Sequence, residues 1–132
     1  MTVKESEKTL EARLVREIEA RGGMALKYTS QYHRGIPDRI CLLPGGQLFF
    51  VELKSTGKKP TKLQQHAMEQ LEKLGFITRV VDSTENLEGL LWALDSAEKL
   101  RKIIFSRHLQ NLPDSDKKFP ESDKKYPNSP KN

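Results

Sequence analysis

The chain has 132 residues, 36% of them hydrophobic, enough for one modest core and too few for a second catalytic domain. Lys and Arg outnumber Asp and Glu by 23 to 18, giving a net charge of +5 and a lean toward a polyanionic partner. A single cysteine, Cys41, excludes an internal disulfide and a cysteine-based zinc cluster, and the charged amino terminus and lack of a long apolar run predict neither a signal peptide nor a membrane partner, so the expected location is cytoplasmic.

Leu10, Leu14, Val15 and Ile18 recur at helical spacing with Glu and Arg between them, and Gly22-Gly23 stops the pattern, which predicts an amphipathic first helix. Residues 24–29 suit a short strand. Residues 30–37 are polar and carry Gly35 and Pro37, as loops do, and this loop ends directly at Asp38. Residues 39–43 and 47–54 are rich in strand formers and flank Pro44-Gly45-Gly46, which predicts a β-hairpin. Their near-continuous apolar stretches imply burial on both faces and helices covering the sheet.

Residues 55–60 form a basic loop. Thr61 and Gln64 stand at capping-box spacing before a helix with the apolar stripe Leu63, Ala67, Leu71 and Leu74 and a stop at Gly75. Residues 76–81 suit another strand. A third helical region begins near Ser83 with Leu87, Leu90, Leu91 and Leu94 in register, and Asp95-Ser96 predicts a break before Leu100, Ile103 and Ile104. Beyond about residue 107 the apolar residues thin out, and a seven-residue unit at 115–121 repeats at 122–128. The expected organisation is a folded domain over 1–106 and a disordered, polar tail over 107–132.

Glu52 and Lys54 are two apart on a predicted strand, so their side chains leave the same face. Phe49, Phe50, Val51 and Leu53 belong in a buried strand, whereas a carboxylate and an ammonium beside them must pair, hold a metal or bear a desolvation cost. A salt-bridged strand end is one reading. Asp38 supplies another, because it opens the partner strand. A three-residue loop at 44–46 pairs Leu43 with Gln47 and therefore Asp38 with Glu52 on one face, β-carbons about 4.5 to 5.5 Å apart. A two-residue loop of the glycines would set Asp38 opposite Leu53, on the wrong face. Opposed carboxylates destabilise a sheet unless a cation sits between them, and hard oxygen ligands suit Mg2+ or Mn2+.

Four further positions carry two readings each. Glu11 shares a helix face with Leu14, Val15 and Ile18 and points toward the core or its edge, or is an ordinary acid near a helix start. Gln64 closes the capping box or faces the acids. Lys27, in the first strand, contacts phosphate or is an outward-facing edge residue. The tail is a solvated appendage or a weak, salt-sensitive attractor of a phosphate backbone. Arg34 in the loop before Asp38, and Lys58 and Lys59 in the loop after Lys54, flank the acids and suit contacts to a nucleic-acid backbone.

Gly35-Ile36-Pro37-Asp38-Arg39, Gly45-Gly46, Phe50-Val51-Glu52-Leu53-Lys54 and Gln64, with an upstream helix from Glu11 to Gly23, resemble the VRR-NUC (virus-type replication-repair nuclease) branch of the PD-(D/E)xK nuclease superfamily. The resemblance covers roughly residues 7–82. It implies a restriction-endonuclease-like α/β fold with an α-β-β-β-α-β core, a mixed sheet flanked by helices, here with an extra C-terminal helical region. It implies Asp38 and Glu52 as metal ligands with the Leu53 backbone carbonyl as a third. Glu11 would support the metal site, Lys54 would position or activate the attacking water, and Gln64 would be the glutamine of the following helix. Metal-dependent DNA cleavage is the implied activity. Isolated domains of this branch resemble compact viral or bacterial proteins that act on branched DNA, such as four-way junctions or flaps, as homodimers in replication or repair. The rival expectation is a non-catalytic nucleic-acid-binding module with a nuclease fold, which has no reason to keep Asp38, Glu52 and Lys54 together.

Overall fold

Ser6 opens the first helix, its hydroxyl accepting the Thr9 N–H at 3.1 Å. The helix, α1 (Glu7–Ala20), turns Leu10, Leu14 and Ile18 onto one fully buried face. The computed structural model describes residues 3–116. After α1 come β1 (Met24–Lys27), β2 (Arg39–Leu43), β3 (Gln47–Leu53), α2 (Lys62–Lys73), β4 (Ile77–Val81), α3 (Thr84–Asn111) and a 3-10 turn, Asp114–Asp116.

The strands form one mixed sheet in the order β1-β2-β3-β4. The first three are antiparallel neighbours, and β4 joins β3 in parallel, with α2 as the crossover. Leu43 pairs with Gln47 and Arg39 with Val51, so the hairpin turn holds the three residues Pro44, Gly45 and Gly46. Gly45 and Gly46 both have positive φ, 86° and 76°, where a β-carbon would be strained. One step beyond the last pair, this register sets Asp38 opposite Glu52. The sequence-derived register is the observed one.

Side chains alternate along each strand, which separates the two faces. Arg39 hydrogen-bonds to Glu11, so Arg39, Cys41, Val51 and Leu53 face α1. The start of α3 lies on the same side, where Glu88 meets Arg13 at 3.2 Å. Gln64 reaches Glu52, so Glu52 and Phe50 face α2. Cys41, Val51, Leu53 and Val81 are buried with Leu10, Leu14, Ile18 and Leu87. Burial on the α2 face is partial: Met24 and Leu26 on β1 stay exposed, because α2 packs against β4 at the far edge of the sheet.

Three sequence expectations differ in detail. In α2 the inward stripe is Gln64, Ala67, Met68 and Leu71, while Leu63 and Leu74 are exposed. The helix is rotated so that a polar residue, Gln64, takes the inward place expected for Leu63. In α3, Asp95-Ser96 makes no break. Neither residue is a helix breaker, and good helix formers follow. The helix also passes residue 106 and ends at Asn111, two residues before Pro113, which cannot continue it. Most of the repeat at 115–128 lies outside the described residues.

The chain divides between Ala93 and Leu94, inside α3, into two compact units. The first carries the sheet, α1 and α2. The second exposes Leu100, Ile103, Ile104 and Phe105 on its own helical surface. Among the described residues no helix is long and apolar enough to cross a membrane.

The Glu11–Arg39 pair is the polar tie between α1 and the start of β2. Arg39 donates through Nε to Glu11 Oε1 at 3.1 Å, and its Nη2 contacts the same oxygen. Its Nη1 donates to the Ala25 carbonyl at 3.0 Å, reaching β1 as well. Both side chains are largely shielded. A double-mutant cycle with Glu11→Gln and Arg39→Met, read by urea denaturation, is expected to give a coupling of about 1 to 2 kcal/mol. Additive single effects would show that the pair holds nothing.

Candidate active site

Glu52 lies in the middle of the sheet, on β3, and is 1% exposed. Its Oε1 accepts the Gln64 Nε2–H at 2.8 Å and lies 3.4 Å from Lys54 Nζ. Among the described residues its Oε2 is buried without a hydrogen-bond partner. Such an atom costs on the order of 1 to 3 kcal/mol or more unless a proton or a cation takes it up.

Gln64 fulfils both of its sequence readings. Its Oε1 accepts the Thr61 N–H at 2.9 Å, and the Thr61 hydroxyl accepts the Gln64 N–H at 3.2 Å, which closes the capping box. With the amide oxygen committed to Thr61, the amide nitrogen is left to face Glu52. The cap therefore fixes which end of the amide meets the carboxylate.

Asp38 sits at the end of the preceding loop, half-buried, with its backbone carbonyl accepting the Tyr28 N–H at 3.1 Å. The buried ring of Pro37 precedes it. Gly35 has φ +82°, and a β-carbon there would lie 2.6 Å from the Leu63 carbonyl oxygen. The loop thus rests on the first turn of α2, the same turn that presents Gln64. Burial raises the Glu52 carboxyl to about 7, the neighbouring Asp38 charge pushes the same way, and Lys54 opposes them. Lys54 itself follows β3, its N–H bonded to the Val81 carbonyl at 3.0 Å.

Asp38, Glu52, Lys54 and Gln64 are thus brought together. Glu11 is placed differently, held by Arg39 on the α1 side of the sheet. Among the described residues no group of three or more His, Cys, Asp or Glu side chains is gathered for a metal. Lys27 pairs in register with Arg39, which puts it on the α1 face, away from the acids. Arg34 is exposed in the loop before Asp38, and Lys58 and Lys59 are exposed in the turn after Lys54, closed by the Lys58 N–H on the Ser55 carbonyl at 2.9 Å. Sequence reasoning missed Arg39, whose signal was its place directly after Asp38 and hence on the opposite face. It also missed Tyr28, which the β1–β2 register sets opposite Asp38.

The donor set suits a hard divalent cation. Mg2+ is commonly held by one or two carboxylates, with water and substrate phosphate completing the shell, so Asp38 and the free oxygen of Glu52 suffice as side-chain ligands. The fold is a mixed α/β sheet that carries two acids on adjoining strands and a lysine two residues on. No family model matches the chain. It is 40% identical over 89 residues to a protein named "Putative nuclease p44" from Acyrthosiphon pisum secondary endosymbiont phage 1, covering 67% of this chain and 95% of that protein. A solved structure described as a VRR_NUC domain superposes with a TM-score of 0.62 at 28% identity, covering 66% of this chain and 96% of the other. The chain belongs to the VRR-NUC family of nucleases.

Glu52 has a consequence for stability. Its carboxyl titrates near 7 in the folded chain against 4.5 ordinarily, so between these values the folded state holds the extra proton and stability falls as pH rises. In chelator at pH 8, Glu52→Gln is expected to exceed the parent by on the order of 3 kcal/mol in urea denaturation. The difference should vanish near pH 4, where the parent's carboxyl is neutral in both states. Equal stabilities at pH 8 would refute the cost assigned to the buried charge.

Proposed function

We propose that this chain is a metal-dependent endonuclease that hydrolyses DNA phosphodiester bonds, with Asp38, Glu52 and Lys54 at its centre. The observation that carries the reading is the unpartnered, buried Oε2 of Glu52 beside the Asp38 carboxylate. Asp38 and Glu52 would hold Mg2+ or Mn2+, with the Leu53 backbone carbonyl as a further ligand. Bound there, such an ion supplies positive charge against the phosphate and lowers the pKa of a water.

The chain's own groups do the rest. Lys54 orients the attacking water or the scissile phosphate with its ammonium, and its charge favours the ionised form of Glu52 against the effect of burial. Gln64 holds Glu52 Oε1, which leaves Oε2 turned to the ligand side. Glu11 acts through Arg39 as a positioning residue, anchoring the strand that begins at Asp38. Arg34, Lys58 and Lys59 follow the phosphate backbone without reading bases. Choice by shape therefore fits better than choice by sequence, and branched DNA in replication or repair is the proposed substrate. The exposed apolar residues Leu100, Ile103, Ile104 and Phe105 suit a homodimer.

Labelled duplex, flap, single-stranded and four-way-junction DNA, incubated with Mg2+, Mn2+ or chelator, tests this reading. Cleavage is expected with metal only, highest on a branched form, and Asp38→Asn or Lys54→Ala is expected to lower it roughly 100-fold or more. Intact substrate in every metal would leave only a nucleic-acid-binding module. Solution mass at the 15.1 kDa of a single chain would remove the dimer.

A further inference from the structure

The loop from β1 to β2 carries two tyrosines that the folded core does not use. Tyr28 stands at its base. Continuing the β1–β2 register one step past Lys27 and Arg39 sets Tyr28 opposite Asp38, and its N–H bonds to the Asp38 carbonyl. Asp38 in turn stands opposite Glu52. Tyr28, Asp38 and Glu52 therefore form one row across three strands, on the α2 face, with neighbours roughly 5 Å apart at their β-carbons. The Tyr28 side of that row is open, and the residue is 45% exposed.

Tyr32 stands at the tip of the same loop. It lies inside a turn in which the Ser30 hydroxyl accepts the His33 N–H at 3.0 Å. It is 90% exposed, among the exposed polar residues Gln31, His33 and Arg34. An aromatic ring held in water gains nothing from the core, and the residues beside Tyr32 in the chain, Gln31, His33 and Arg34, are polar. Two exposed aromatic rings accompanied by a cation, Arg34, on a loop that ends at Asp38, form an arrangement suited to stacking nucleobases beside a phosphate backbone.

We propose that Tyr28 and Tyr32 stack on unpaired nucleobases of the strand being cut, so that the site takes DNA whose bases are already out of the duplex. The proposal rests on the nuclease reading above and names what the site selects. In a paired duplex each base face is covered by its neighbours, so the rings find a partner only at a flap, a bulge or a junction arm that has opened. Arg34, between Tyr32 and Asp38 in the chain, provides the accompanying positive charge.

The test uses the full chain, with calcium in place of magnesium, and oligonucleotides carrying 2-aminopurine, whose fluorescence falls when an aromatic ring stacks on it. Quenching is expected with single-stranded and flap DNA and not with matched duplex. Tyr28→Ala/Tyr32→Ala is expected to bind single-stranded DNA roughly 10- to 100-fold more weakly, with quenching lost. Its duplex affinity and the salt dependence of binding should match the parent, because neither ring carries charge. Tyr28→Phe/Tyr32→Phe is expected to keep both affinity and quenching. The proposal is overturned if the double alanine variant, folded by circular dichroism, binds and quenches as the parent does, or if the parent never quenches. Cleavage in magnesium judges the underlying reading separately. A parent that cuts without quenching loses the stacking role alone, and one that quenches without cutting loses the nuclease role alone.

Discussion

A carboxylate buried in the middle of a sheet sets the terms for everything around it. Glu52 is enclosed by β-strands on either side, with Val51 and Leu53 turned to the opposite face, and water does not reach it. An isolated charge there would be expelled or neutralised. Two neighbours make it tolerable, the Lys54 ammonium and the Gln64 amide, and both meet the same oxygen. The other oxygen is buried without a hydrogen-bond partner among the described residues, next to a second acid. Structural ion pairs satisfy themselves; this one is open on one side.

The first turn of α2 is where this arrangement is made rigid. Its cap directs the Gln64 amide, its backbone receives Gly35 from the loop before Asp38, and the helix is the crossover that lays β4 beside β3. One turn of helix therefore relates both acids to each other and to the sheet. The inward place given to Gln64 costs α2 an apolar contact, and Leu63 is left exposed in consequence. A polar contact to Glu52 has taken a core position here, which is why hydrophobic periodicity alone misplaced the stripe.

The legible parts of the sequence are those controlled by local rules. The hairpin of β2 and β3 was readable from its turn residues, and of the two registers they offer, the observed one with three turn residues is the one that brings Asp38 to Glu52. The capping box was readable from Thr61 and Gln64. Parts that depend on distant partners were not. Glu11 faces the core side as its helix position required, but its partner is Arg39, whose reach across from another element leaves no trace in spacing. Tyr28 went unnoticed because some ten residues separate its strand from β2, and no turn rule fixes register over such a loop. Lys27 fell to the α1 face for the same reason. The end of α3 was placed early because apolar residues thin out before the helix does, and Pro113 rather than hydrophobicity marks the stop.

The hairpin turn at Pro44, Gly45 and Gly46 also limits how this gene can change. Surface turns ordinarily absorb added or lost residues with little effect. Here a residue gained or lost, if taken up by the pairing instead of the loop, would slide β3 by one position, send Glu52 to the α1 face among Leu10, Leu14 and Ile18, and turn Leu53 toward Asp38. Nothing would be removed from the protein, yet the acids would be parted by the thickness of the sheet. Although a β-carbon at Gly46 would meet open space, the turn is held to its length by the pairing it sets.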